Sequence, residues 1–456
     1  MKRKKTKKNT SIRSSKPLAI RKKKRTYVKS SQQQQQPFSS TNSIIIAEAE
    51  FEFYLPDECW ERVFTFIINP PDLFLDVFPF PTDPVDDKIK EKYKRNFESL
   101  SLVSKHFLSI TNRLIFSLKI YYPQLCHLSR FFHRFSNLNS LDICFGSYYL
   151  DADIALALRD RSSLKSLSIY MFEINVTSHY IDSLLSLKGL NSLKFHSSQI
   201  SDYLLYSIAR QGLPLNTFVL ENCTGYTYHG IYDLLSKCRG IRHLGLQGVD
   251  FLNNHYVSQL SLLLSDLVSI NLSKCSKLTE STLFTLSKNC HSLGEITMQS
   301  LYIDDFDIER ENVENYDILK DFDVNPQLKF LHLFRSSFIN DETIILFASF
   351  SNLKHLDLSC CHNISEKGIR QVLNSCCKLR DLMLMNCKVR GLKLNFVVPQ
   401  LEVLDLSRTS VDDKTLHEIS KSCCGLLELL LICCEYVTKK GVKRVVENCK
   451  QCRVIQ

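Results

Sequence analysis

One apolar pattern, L-x-x-L-x-L, recurs along most of this chain at a nearly constant interval. Most intervals between copies are 25 or 26 residues, but the interval after Leu293 is 35 residues and the one after Leu379 is 22. Because one copy buries only a few apolar side chains, such a chain is stable only when its copies stack on one another. A less regular copy begins at Ile115, and the clear copies begin at Leu138, Leu164, Leu190, Leu215, Ile241, Leu267, Leu293, Leu328, Leu353, Leu379, Leu401 and Leu426.

Each copy carries the signals of a short strand followed by a helix. Within L-x-L the apolar residues alternate with other residues, as in a strand that buries one face. Ser365, Thr279 and Asn340 each precede acidic residues, which is typical of a helix N-cap. We therefore predict an α/β fold, a leucine-rich-repeat solenoid (a ribonuclease-inhibitor-like horseshoe) over residues 115–456, with about 12–13 repeats. Solenoids mostly bind other molecules on their concave face.

The 18 cysteines follow the repeat rather than the spacing of metal ligands. Zinc sites need converging Cys or His pairs, and the only C-x-x-C, Cys449 to Cys452, has no second pair. We therefore expect small buried thiols, no metal and no disulfide. Five cysteines lie eight residues after a repeat start and five lie three residues before the next: Cys223, Cys275, Cys361, Cys387 and Cys434, then Cys238, Cys290, Cys376, Cys423 and Cys449.

Residues 1–47 are predicted to be a disordered basic tail. Residues 1–35 hold 14 of the 58 Lys and Arg residues and no acid, so the rest has 44 basic against 48 acidic residues, a net charge of −4. The clusters Lys2 to Lys8 and Arg21 to Arg25 have the form of a bipartite nuclear-import signal. The alternative is a solvated tail with nonspecific affinity for acidic surfaces. We expect a nuclear or cytosolic protein that binds no membrane and no specific nucleic acid.

Residues 50–113 have a helical periodicity instead. Leu55-Pro56-Asp57-Glu58 opens a first helix, with Pro near its start and acids in its first turn. A long Pro-containing insertion, Asn69 to Asn96, precedes a second helical run. This unit is either a separate binding domain or only a helical cap for the solenoid. Its apolar residues are Trp60, Val63, Phe64 and Ile67 in the first run, and Phe97, Leu100, Val103, Phe107 and Ile110 in the second.

The helical unit resembles an F-box, which begins with Leu-Pro and acidic residues and ends in an apolar stretch containing Val-Ser-Lys and a Trp. The matching segments are Leu55 to Glu58 and Leu102 to Phe107, with Phe107 in place of the Trp, and Cys-containing repeats follow directly, as in plant-like F-box/leucine-rich-repeat proteins. The resemblance implies the substrate-recognition subunit of a Skp–cullin–F-box ubiquitin ligase. It also implies that a Skp-type adaptor, and through it a cullin, docks on Leu55, Pro56, Val63, Val103 and Phe107.

No motif in the chain predicts catalysis or a cofactor. The sequence has no phosphate-binding G-x-x-x-x-G-K-[ST], no H-E-x-x-H and no G-x-S-x-G, and its 13 histidines are scattered. The resemblance likewise implies that other subunits supply the chemistry and that this chain, which is not an enzyme, holds a protein client for ubiquitination. The competing interpretation is a leucine-rich-repeat scaffold or immune-type receptor without a ubiquitin-ligase role.

The outward strand positions predict where a client binds. In early copies they are small and polar: Ser166, Ser168, Ser192, Ser269, Asn271 and Ser273. In later copies they include large side chains: Phe330, His332, Phe334, His355, Met383, Met385, Leu430 and Ile432. Apolar and Met-rich surfaces are typical of binding sites, so we predict a client-binding patch there. The alternative is that these side chains pack against neighbouring strands.

Overall fold

The computed structural model describes residues 55–68, 74–77, 95–121, 128–145, 152–159, 161–171, 178–300 and 327–455. These residues belong to one compact unit, Leu55–Gln456. The predicted basic tail, residues 1–47, lies outside the described residues, as does most of the insertion between the two helical runs. No helix in the described part of the chain is long and apolar enough to cross a membrane.

The fifteen described strands form one sheet in which every strand pairs in parallel with the next along the chain. Stacked repeats produce this order, because each connection returns the chain to the adjacent position. The strands are β1 Phe74–Val77, β2 Ser117–Tyr121, β3 Ser140–Phe145, β4 Ser166–Met171, β5 Ser192–His196, β6 Thr217–Glu221, β7 His243–Gln247, β8 Ser269–Asn271, β9 Glu295–Thr297, β10 Phe330–His332, β11 His355–Asp357, β12 Asp381–Met383, β13 Val403–Asp405, β14 Glu428–Leu430 and β15 Arg453–Ile455.

Helices precede the repeats and then connect most of their strands. The predicted N-caps are confirmed: Ser365 accepts the N–H of Lys367 at 3.1 Å and Asn340 accepts that of Thr343 at 2.9 Å. The helices are α1 Asp57–Ile68, α2 95–103, α3 Lys105–Arg113, α4 Leu128–Arg134, α5 Ala152–Leu158, α6 Ser178–Leu185, α7 Asp202–Gln211, α8 Tyr228–Lys237, α9 Asn254–Ser261, α10 Glu280–Asn289, α11 Asp341–Ile345, α12 Glu366–Ser375, α13 Asp413–Ser422 and α14 Lys439–Asn448, with a 3₁₀ turn at Leu346–Ser349.

The predicted solenoid is confirmed: residues 115–455, which we call the repeat array, form a leucine-rich-repeat solenoid. Strands β3 to β14 each begin two residues after a predicted repeat start, so the predicted positions of the strands within the repeats are confirmed. In β11 the inward Leu356 is fully buried, whereas His355 and Asp357 are partly exposed. The inward leucines of successive strands belong to one continuous apolar core, and this shared core holds the repeats together.

A left-handed backbone residue and an inward cysteine end many of the strands. The cysteine that follows donates its thiol to a carbonyl of the preceding repeat: Cys275 Sγ lies 3.1 Å from the Leu246 oxygen, and Cys387 Sγ lies 3.1 Å from that of Leu358. The predicted burial of these two thiols is thus confirmed. The left-handed residues lie seven positions after the repeat start and are Ser197, Asn222, Gly248, Lys274, Arg335, Cys360, Asn386, Arg408 and Cys433.

An aspartate at the start of one helix holds the cap of the next repeat's helix. Asp341 Oδ1 accepts the N–H of Ser365 at 2.8 Å, and Oδ2 accepts its hydroxyl. Three residues after Ser365 stands Gly368, and a Cβ there would overlap the Asp341 carboxylate. The same arrangement joins Asp413 to Thr438, with Gly441 three residues later. Polar side chains therefore fix the spacing of these repeats together with the leucines.

The structure changes four details of the predicted architecture. The second helical run is two helices, because Ser104 (φ −158°) is an extended N-cap whose hydroxyl accepts the N–H of Phe107 at 3.0 Å. The strand β1 comes from within the predicted insertion and pairs with β2, and β15 extends the sheet past β14. The short copy that begins at Leu379 has turns in place of a helix between β12 and β13.

Candidate functional site

An aromatic cluster joins α1 and α3. The Phe107 ring lies 4.8 Å, centroid to centroid, from the rings of both Trp60 and Phe64. Phe64 is almost completely buried, and Phe107 and Trp60 are half-buried against it. Phe107, one of the predicted adaptor-binding residues, therefore packs inside the helical unit, where it holds the two helices together.

A second contact between α1 and α3 consists of ion pairs made by one arginine. Arg113 on α3 donates to Asp57 Oδ2 at 2.7 Å and to Glu61 Oε1 at 2.8 Å, both on α1. These hydrogen bonds, that to Asp57 first, raise the pKa of Arg113 above its ordinary value. A guanidinium that binds two carboxylates on successive helical turns fixes both the separation and the rotation of the helices. The helical unit is therefore held together by its own aromatic and ionic contacts.

The helical unit leaves several large apolar side chains in solvent. Of the predicted adaptor-binding residues, Leu55, Pro56, Val63 and Val103 are exposed. The sequence interpretation missed the most exposed ones, Phe66 on α1 (83% exposed) and Leu102 on α2 (84%). Val63, Phe66 and Ile67 share one face of α1 by their helical spacing, and this spacing could have identified Phe66.

The predicted client-binding residues lie on the concave face in regular rows. Residues two positions after each repeat start are register partners across the sheet, and Phe330 on β10 faces His355 on β11. Phe330 and Ile432 are each 42% exposed. The other predicted client-binding residues are half-buried by their neighbours: His332, Phe334, His355, Met383, Met385 and Leu430. These side chains therefore pack laterally and still present surface to solvent, and the binding of a client there stays a prediction.

Two histidines pack together at the start of this region. The His332 and His355 rings lie 4.7 Å apart, centroid to centroid. Burial lowers the pKa of His332 and the neighbouring His355 lowers it further, while Glu295 and Asp357 oppose the shift. His355 Nδ1 lies 3.4 Å from Asp381 Oδ2. The pair thus forms a floor of two packed imidazole rings beside acidic side chains.

The N-terminal half of the face carries a Ser–His–Glu arrangement. His196 Nδ1 lies 2.8 Å from Glu221 Oε2, and its Nε2 lies 3.2 Å from Ser168 Oγ. The hydrogen bond from His196 lowers the pKa of Glu221. The order resembles a nucleophile–base–acid relay, but Ser168 is only 3% exposed beneath the stacked rings of Tyr170 and His196. Its hydroxyl is closed to a substrate, and the group serves to hold three strands together.

A polar hollow of about 410 Å³ opens on the same face between β5 and β9. Gly245 forms part of its floor, and the absent side chain there is required because a Cβ would lie 2.9 Å from Val219 Cγ1. The walls carry Lys194, Glu221 and Glu295. A polar side chain of a bound protein can enter this space, which Ser269 and Asn271, two of the small outward residues, also line.

The repeat cysteines are unsuited to nucleophilic or metal chemistry. Burial raises the pKa of the Cys275 thiol to about 11 and those of the Cys290 and Cys387 thiols to about 12. Thiols with such pKa values stay protonated at neutral pH, whereas the thiolate is the nucleophile and the metal ligand. Among the residues that the structure describes, no group of three or more His, Cys, Asp or Glu side chains can hold a metal ion.

Comparisons with known proteins give distant structural neighbours. No family profile matches the sequence, and no curated protein matches it either. An internalin from Listeria monocytogenes is 16% identical, over 79% of this chain and 93% of its own, with a TM-score of 0.46. TLR13 in complex with ssRNA13 is 15% identical over 75% and 53%, with a TM-score of 0.46. The complex of Rad7 and Elc1 from yeast matches at 16% over 78% and 93%, with a TM-score of 0.40.

Proposed function

We propose that this chain is the substrate-recognition subunit of a Skp–cullin–F-box ubiquitin ligase. The observation that carries the proposal is the set of exposed apolar side chains on α1 and α2, above all Phe66 and Leu102. They add to the Leu-Pro-Asp-Glu start and the Val-Ser-Lys segment, which resemble an F-box. An adaptor that buries these side chains would anchor the chain to a cullin.

The exposed side chains are not needed for the interior of the helical unit. Trp60, Phe64 and Phe107 fill that interior, and Arg113 ties the helices at their other contact. Phe66, at 83% exposure, contributes little to folding. A large apolar side chain that becomes buried at an interface commonly contributes about 2 kcal/mol or more to binding. Docking is therefore the role that best accounts for it.

The repeat array would then hold the client on its concave face. The half-buried and exposed side chains of β10 to β14 and the hollow over Gly245 offer a continuous surface for a protein. Ubiquitin transfer would be done by other subunits, so this chain needs no catalytic residue or cofactor and contributes proximity. The basic clusters Lys2 to Lys8 and Arg21 to Arg25 support action in the nucleus as well as the cytosol.

The proposal is tested by replacing Phe66 and Leu102 together with Ser. We expect the variant to lose co-purification with a Skp-type adaptor and a cullin, because both anchors become polar. Its melting temperature should stay close to that of the unaltered chain, since both side chains are already exposed. The same outcome is expected for Leu55→Ala with Pro56→Ala.

The matched control replaces two other largely exposed apolar residues, Leu262 (69% exposed) and Val397 (64%) of the array, with Ser. This control should keep the adaptor. If the Phe66 and Leu102 variant also keeps it, or if the unaltered chain never binds an adaptor, the helical unit is only a cap. The chain would then be a leucine-rich-repeat scaffold without a ubiquitin-ligase role.

A further inference from the structure

The concave face of β11 to β14 has an ordered alternation of acidic and other side chains. Each of these strands presents one acid and one larger non-acidic side chain at its two outward positions, and the order reverses from strand to strand. We call this surface the checkerboard face. Its first row is His355, Asp381, Val403 and Glu428, and its second row is Asp357, Met383, Asp405 and Leu430.

Basic side chains are missing from the centre of this face. At the outward positions of the described strands β6 to β14, no residue is Lys or Arg, whereas six are acidic. The six acids are Glu221, Glu295, Asp357, Asp381, Asp405 and Glu428. Charge therefore favours a cationic occupant and disfavours nucleic acid or a phosphorylated segment.

Three of the four acids of the checkerboard face keep capacity to bind a partner, whereas Asp381 already faces His355. Asp357 Oδ1 and Asp405 Oδ1 accept the N–H groups of Ser359 and Ser407 at 2.9 and 2.8 Å, which leaves Oδ2 of each for other contacts. Glu428 has no side-chain hydrogen bond or ion pair within the described part of the chain. Beside them, Met383 and Leu430 are only half-buried. Each acid thus stands next to apolar surface that a partner's side chain can cover.

We propose that the checkerboard face binds an extended basic segment of the client, in which Lys or Arg side chains alternate with aliphatic ones. This inference rests on the proposed function of the array as the client-binding surface. Neighbouring strands lie about 4.8 Å apart and the two outward positions of one strand lie about 6.6 Å apart, so successive acids zigzag across the face about 8 Å from one another. The long side chains of Lys and Arg on an extended peptide can span such a distance. Carboxylates would pair with the cationic groups, while Met383, Val403 and Leu430 would cover the aliphatic ones.

The test uses the full chain and three fluorescein-labelled peptides of about nine residues, long enough to cross the four strands. One repeats Lys-Ser-Leu-Ser, the second has Glu in place of Lys, and the third has Ser in place of Leu. Fluorescence anisotropy should show binding of the first peptide, weakened by salt, and no binding of the second. The third should bind more weakly than the first. Failure of the unaltered chain to prefer the first peptide overturns the inference.

Matched variants distinguish binding to the checkerboard face from attraction by the net charge of the protein. Asp357→Asn, Asp405→Asn and Glu428→Gln together should weaken binding of the Lys-Leu peptide about tenfold. The two Asn substitutions are compatible with the fold, because Asn271 holds the equivalent position of β8 and its Oδ1 accepts the Ser273 N–H at 3.0 Å. The control removes three exposed acids elsewhere, Asp233→Asn, Glu435→Gln and Glu447→Gln, and should leave the affinity unchanged.

Two outcomes of the variant experiment contradict the inference. Equal weakening by both triple variants would mean that only net charge matters, and no weakening by the first would mean that the peptide binds elsewhere. Circular dichroism checks that each variant is folded. Adaptor co-purification is measured on the same variants and should be retained, because α1 and α2 are unaltered. Loss of peptide binding and loss of adaptor binding are thereby measured separately.

Discussion

The helical unit and the repeat array differ in how completely they bury their patterned apolar side chains. In the array, every clear repeat start from Leu138 to Leu426 is at most 2% exposed. In the helical unit, a small aromatic interior coexists with Phe66, Leu102 and Val103 in solvent. Stacked repeats bury one another's leucines, so the array needs no partner to complete its core. Single exposed apolar residues such as Leu262 are ordinary on a protein surface, so Val63, Phe66 and Ile67, which share one face of α1, are where we propose that a partner contributes the missing surface.

The largest expected effect follows directly from this difference. Leu356→Ala, in the centre of the array, should lower the free energy of unfolding by about 3 kcal/mol, because it leaves a cavity between fixed neighbours. Phe66→Ala removes a larger side chain and should cost less than about 0.5 kcal/mol, since 83% of Phe66 is already exposed. Urea denaturation followed by circular dichroism compares the two. Similar losses would remove the contrast between the regions.

A smaller effect is expected at the glycine beside the inter-repeat aspartate. Gly368→Ala should destabilise the chain by about 1–2 kcal/mol, because the new Cβ overlaps the Asp341 carboxylate and the gain in helix propensity is only about 1 kcal/mol. Gly391→Ala is the control, since its Cβ would meet Thr415 Oγ1 at an ordinary 3.6 Å. It should change the unfolding free energy by less than about 0.5 kcal/mol.

A double-mutant cycle tests whether the cost of Gly368→Ala comes from overlap with the Asp341 carboxylate. With Asp341→Ala already present, Gly368→Ala should cost much less, because the carboxylate that it would overlap is gone. The coupling is measured from the urea midpoints of the four proteins. An unchanged cost would show that the glycine is required for another reason, and that the aspartate does not set the repeat spacing.

The repeat period allowed most of the array to be predicted, because a strand of fixed phase dictates which residues face inward. Leu356 and its counterparts could be placed inside from the pattern alone. Gly368 could not be explained that way, since its neighbour Asp341 is 27 positions earlier and the contact exists only after stacking. The strand β1 was missed because it lies in a Pro-rich insertion whose partner strand comes some 40 residues later.

The candidate sites were predictable to a lesser degree. The outward rows followed from the alternation of each strand, so Phe330 and Ile432 were placed correctly on the surface. The order of acids across strands was not recognised, because it appears only when Asp381, Asp405 and Glu428 are read in register rather than along the chain. In the helical unit, the pattern predicts Phe107 as a docking residue but does not show that its ring also packs against Trp60 and Phe64.

The smallest expected effect comes from His332, an array residue whose surroundings are neither core nor open surface. Burial first, and then the neighbouring His355, lower its pKa from the ordinary value of 6.5. As the pH falls below that value, the unfolded chain binds a proton on this imidazole more readily than the folded chain does, so protonation favours unfolding. The stability that the neutral ring contributes is therefore present above the unfolded pKa and is lost as pH falls through the lower folded pKa. His332→Gln should remove this loss, so the variant's urea midpoint should fall less than that of the unaltered chain between about pH 7.5 and about pH 5.5. An equal fall in both proteins would mean that His332 titrates alike in the folded and unfolded chains, and that the partners of this row leave the ring as open to solvent as an ordinary surface histidine.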